Sequence, residues 1–209
     1  ISKLSKERLL DELKKIIKSC SLKKLSKDKT CLDLILLIFP ELKRISIFSN
    51  LSSRQEEIIK KSDLIFLISL LIIDETDNAD YFLFKFNLSK KDKKRIKVID
   101  RFYKETNNSK KFNEKILNKV FYYDGKQAVL DILRFKIVRS KKIDENLLGL
   151  SEVFSKKLIP NMSISAEILM NKYKIPEGKR IGIKLKEIEE FWVENNFQIT
   201  DQQVENILK

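Results

Sequence analysis

Apolar residues recur at helical spacing along almost the whole chain. Leu4, Leu9, Leu13, Ile16 and Ile17 return every three to five positions with charges between them, which predicts an amphipathic helix capped by Ser5 or Ser2. A second helix is expected over about Thr30–Phe39, ending at Pro40, because proline removes an N–H donor and restricts the residue before it. Ser52 or Ser53, followed by Gln-Glu-Glu, opens a third. The run Leu64–Ile73 is apolar on nearly every side, so it predicts a central, buried helix.

The aromatics of Asn78–Lys85 would suit a strand, yet Ala79, Phe82, Leu83 and Phe86 fit one helical face, and helix is the expectation. Ser89 caps a very basic helix to about Lys104 with Ile96, Ile99 and Phe102 inward; a polar loop follows at Thr106–Lys111. Further helices are expected over Asn113–Phe121, Gly125–Ser140 and Asp144–Lys156, then a linker at Pro160–Met162. The last portion holds helices near Ser165–Tyr173, Lys179–Asn195 and Thr200–Leu208, the final one capped by Thr200 or Asp201. No alternation of strand and helix patterns occurs, so the fold class is all-α, an elongated multi-helix array.

Composition removes several chemistries. The 209 residues include no His, which excludes a Ser/His or Cys/His nucleophile pair, a His-bearing zinc site and an imidazole base. The four glycines are too scattered for a GxGxxG or Walker loop. Cys20 and Cys31 cannot cage a metal alone, and two isolated thiols predict packed side chains in a reducing, cytoplasmic setting. The longest apolar run is about half of the roughly 20 residues a bilayer demands, and the amino terminus has no signal-type stretch, so no membrane association is expected. Gly178 and Gly182 read as a helix-start turn and a close helix contact.

Charge narrows the choice of partner. The chain carries 43 Lys and Arg against 30 acids, net +13, and only 8 of the cations are Arg. The excess is local: Lys85–Lys97 holds seven cations and one acid, Arg134–Lys142 holds five cations and none, and Lys184–Lys209 has six acids against three lysines. A basic middle and an acidic tail point to a face for an anionic polymer such as nucleic acid. Lys90, Lys91, Lys93, Lys94 and Arg95, with Arg134, Lys136 and Arg139, are the candidate phosphate contacts. Phe191, Trp192 and Phe197 could stack on a base, but their helical spacing predicts core packing.

Motifs at both ends point the same way. The stretch Ser163-Ile164-Ser165-Ala166-Glu167-Ile168-Leu169-Met170, then Ile175-Pro176-Glu177-Gly178-Lys179-Arg180-Ile181-Gly182 and Glu189-Glu190-Phe191-Trp192-Val193-Glu194-Asn195-Asn196-Phe197, resembles the tail of bacterial tRNA nucleotidyltransferases, the CCA-adding enzymes and their poly(A) polymerase relatives. Leu4-Ser5-Lys6-Glu7-Arg8-Leu9-Leu10-Asp11-Glu12-Leu13 is similar to that family's neck element, and Phe39-Pro40-Glu41-Leu42 to the step after it. Phe86-Asn87-Leu88-Ser89-Lys90-Lys91 with Arg95-Ile96, and Tyr123-Asp124-Gly125 with Asp131, are similar to two further elements, in family order. The tail signature departs from the family where Ser163, Ala166 and Ile168 replace its proline, glycine and aspartate.

The resemblance implies a neck remnant over 1–50, a helical body over 51–157 and a helical tail over 158–209. It implies that Glu7, Arg8 and Glu12 support a nucleotide pocket, and that the body grips the acceptor and TΨC region of tRNA while CCA is built at the 3′ end. The family's catalytic head, with paired aspartates for Mg2+ and a pocket for CTP or ATP, would lie upstream of Ile1. Asp74, Asp77 and Asp80 read as solvated acids of a turn, so no metal site, catalytic residue or cofactor is expected within the chain, and by itself it is not expected to add nucleotides. The competing reading is a non-enzymatic helical module that binds RNA or protein, or the matching part of a poly(A) polymerase.

Overall fold

The computed structural model describes residues 5–19, 21–107 and 113–209. Ser2, Leu4, Cys20 and the loop expected up to Lys111, from 108 onward, lie outside them. The described chain is all-α, with no strand among its residues. No described helix is long and apolar enough to cross a membrane.

Two compact units emerge, one of residues up to 110 plus 130–153, the other of 111–129 plus 154–209. The first begins with α1 (Lys6–Ser19), α2 (Leu22–Leu25) and α3 (Lys29–Ile38). A 3-10 turn, η1 (Ile45–Asn50), follows, then α4 (Ser53–Lys60), α5 (Leu64–Ile72), α6 (Asn78–Lys85) and α7 (Lys90–Asn107). It closes with most of α9 (Lys126–Arg139) and α10 (Glu145–Lys156), which follow α8 (Glu114–Tyr123) in the chain.

α5 forms the middle of this unit, with Phe66, Ile68, Leu70, Leu71 and Ile72 buried and α1, α6 and α7 packed around it. Its start is fixed by Asp63, whose carboxylate accepts the Phe66 N–H at 3.0 Å. The aromatic segment is helix, as its spacing predicts: Ala79, Phe82, Leu83 and Phe86 all turn inward. Phe39, Glu41 and Leu42 are buried too, and Lys85 donates to Glu41 at 2.6 Å, so this motif works inside the fold.

Two short elements, α2 and η1, fall where the pattern predicts no helix. α2 has four residues and η1 six, too few for a periodic pattern, and they pack on each other. Cys31, expected to be packed, is exposed on α3.

In the second unit α12 (Lys179–Glu194) packs on α8, α13 (Asp201–Leu208) and α11 (Ala166–Asn171). Leu169, Ile181, Ile188 and Val204 form one core. Phe121, Phe154, Trp192 and Phe197 form an aromatic cluster with Tyr122, and Trp192 meets Tyr122 at 5.5 Å and Phe197 at 5.1 Å. α12 ends in a Schellman turn: Asn196 is left-handed and the Phe197 N–H reaches the Trp192 carbonyl at 2.8 Å. Trp192 is therefore a core residue, and Phe197 packs half-buried against it. Gly178 opens α12 at φ 144°, but Gly182 is exposed with nothing near a Cβ built on it, so the expected close helix contact is not made.

Candidate nucleic-acid interface

The basic run lies at the start of α7. Ser89 opens the helix: its hydroxyl oxygen accepts the Asp92 N–H at 3.1 Å, and its O–H donates to the Asp92 carboxylate at 2.7 Å. Ile96, Val98, Ile99 and Phe102 are buried, which turns the other side outward. Lys90, Lys94, Lys97 and Arg101 are exposed and recur at spacings of four, three and four. At 1.5 Å per residue they form one cationic row about 16 Å long. Lys91 is exposed beside its start, and Lys93 is half-buried.

Like charges at i,i+4 repel by a few tenths of a kcal/mol. Cations in a first turn also oppose the helix dipole, which favours acids there, and only Asp92 has that sign. Lys97 and Arg101 are not among the sequence candidates, although their helical spacing from Lys94 is readable in the chain.

Arg95 does not belong to the row. Its guanidinium holds buried Asp131 with two hydrogen bonds, one at 2.9 Å, and reaches Asp63 at 2.6 Å, its own side chain being only 17% exposed. Burial opposes its charge, but the bonds to Asp131 and Asp63 prevail and raise its pKa above the ordinary arginine value. Arg95, expected to contact phosphate, is engaged within the fold, where with Asp131 it joins α9 to α7.

The second basic run divides. Arg134 is half-buried on α9. Lys136 and Arg139 instead line a half-enclosed cleft of about 490 Å³ between η1, α7 and α9, away from any lysine of the row. Arg139 stacks on Tyr103 at 4.5 Å and Phe135 at 5.1 Å and donates to the Ile73 carbonyl at 2.6 Å. Burial lowers the pKa of both Lys136 and Arg139. Arg44 enters the cleft from the start of η1, although no motif or charge run in the sequence singles it out.

Glu7, Arg8 and Glu12 are exposed on α1, opposite buried Leu10 and Leu13. Arg8 and Glu12 share a face, and Glu12 accepts Lys15 at 2.7 Å. Asp74 serves its own turn, accepting from the Thr76 N–H at 2.9 Å and hydroxyl at 2.6 Å. Among the described residues no group of three or more His, Cys, Asp or Glu is placed to hold a metal ion.

No protein-family model matches the chain, and no curated protein sequence matches it significantly.

Proposed function

We propose that this chain is the tRNA-gripping part of a tRNA nucleotidyltransferase, holding the acceptor and TΨC region by shape and phosphate contacts. Nucleotide addition itself, with Mg2+ and CTP or ATP, falls to the head that the family places before its neck. The observation that carries the reading is the row Lys90, Lys94, Lys97 and Arg101, exposed on one side of α7. Motifs in family order along the chain say which anion it meets. Contacts of this kind to A-form RNA carry little base information, which suits an enzyme that serves every tRNA. Glu7, Arg8 and Glu12 stand exposed on the neck-like helix, where the family supports its nucleotide pocket.

The test is equilibrium binding to a tRNA that lacks its 3′ CCA, beside an unrelated single-stranded RNA of equal length. The reading expects the tRNA to bind about tenfold tighter or more at about 0.15 M salt. Equal affinity for both would overturn it.

A further inference from the structure

The cleft between η1, α7 and α9 brings Arg44, Lys136 and Arg139 together, although they come from positions about 90 residues apart in the chain. Its floor is apolar, with Ile99, Phe102 and Ile132, and no acid among the described residues lines it. The cations of this lining share features that suit an anion. The Arg44 Nε–H is buried and has no hydrogen-bond acceptor among the described residues, which is costly for a charged group. Arg44 and Arg139 line the same half-enclosed cleft, and the field of Arg44 opposes the charge of Arg139. Lys136 is likewise kept partly out of water, which disfavours its charged form.

Asp74 and Glu75 reach Arg139 through their field, as Asp144 reaches Lys136, but none of the three enters the cleft. Asp74 is already engaged by Thr76 and, at 3.9 Å, by Lys43. Arg139 is oriented in advance, because Tyr103, Phe135 and the Ile73 carbonyl fix its plane. A fixed guanidinium fork that shares a cleft with a second one suits the oxygens of a phosphate better than a lone carboxylate. The volume, about 490 Å³, lies in the range of small-ligand sites.

We infer that this cleft is a phosphate-binding site, taking a phosphate group carried either by a free nucleotide or by an RNA chain, with Arg44, Lys136 and Arg139 as its donors. It is separate from the lysine row and stands whether or not that row binds tRNA.

Calorimetric titration of the full chain tests it with three probes: inorganic phosphate, AMP, and a short oligoribonucleotide with hydroxyl ends. Arg44→Gln and Lys136→Met are the cleft variants, and a combined Lys90→Ala, Lys94→Ala, Lys97→Ala variant is the control. Saturable binding of AMP and phosphate, weakened about tenfold by each cleft variant and unchanged in the control, supports the site with a free nucleotide as the source. The same loss confined to the oligoribonucleotide supports it with the RNA backbone as the source. In the unsubstituted protein the amide resonances of Ser46 and Thr106 should shift with whichever probe binds, which keeps the test decisive if a variant fails to fold. No binding of any probe, or binding that the cleft variants leave unchanged, overturns it.

Discussion

Asp100 shows how one side chain can act against the fold that holds it. It is buried on α7, with Oδ2 accepting from Lys104 at 2.8 Å and Oδ1 without a hydrogen-bond partner among the described residues. Burial outweighs the Lys104 ammonium and pushes its carboxyl up. A raised carboxylate costs stability once it ionises: the cost is absent below about pH 4 and grows as pH rises through the folded value. Asp100→Asn is therefore expected to raise Tm at pH 7 by about 2–4 °C, the gain fading towards pH 4, in melts followed by circular dichroism. Asp63 and Asp74 have the opposite sign. Burial raises each, but the Phe66 N–H and Arg95 for Asp63, and the Thr76 hydroxyl and N–H for Asp74, prevail and lower them. Their contribution is complete above the ordinary carboxylate range and is lost as pH falls below about 4.

Gln55 ties two elements of the first unit together. Its amide oxygen accepts the N–H of Ser52 at 2.9 Å, closing the capping box of α4. Its amide nitrogen donates to the carbonyls of Ile137, Val138 and Ser140 at 2.9, 3.2 and 3.0 Å, answering the free end of α9. Gln55→Ala should cost about 2–3 kcal/mol, a Tm roughly 4–10 °C lower. Gln55→Glu should cost more at pH 7, because a carboxylate would face three carbonyl oxygens, and the gap should narrow on acidification as the protonated acid donates again. The capping half of this role is legible in Ser52-Ser53-Arg54-Gln55; the α9 half is not, since 82 residues separate Gln55 from Ile137. That division holds across the elements. Helices announced by an apolar run, as α5, by apolar spacing, as α6, or by spacing and a cap, as α13, form where the sequence puts them. The short α2 and η1 carry no such signal, because they are held by packing on each other rather than by their own pattern.

For the molecule as a whole, a net charge of +13 favours an anionic partner without saying where it would sit. Folding sorts the cations. Arg95 goes inward to Asp131 and Asp63, Lys136 and Arg139 go to the cleft with Arg44, and Lys90, Lys94, Lys97 and Arg101 remain as an exposed row. The row is readable from helical period, whereas the fate of Arg95 turns on a partner 36 residues away. The salt dependence of tRNA binding tests the central claim most directly, measured for the parent chain and for the Lys90→Ala, Lys94→Ala, Lys97→Ala variant. Each lysine that no longer neutralises a phosphate takes close to one from the slope of log K against log salt, so the slope should become shallower by about three. A variant with an unchanged slope would show that the row does not meet the RNA and would contradict the account.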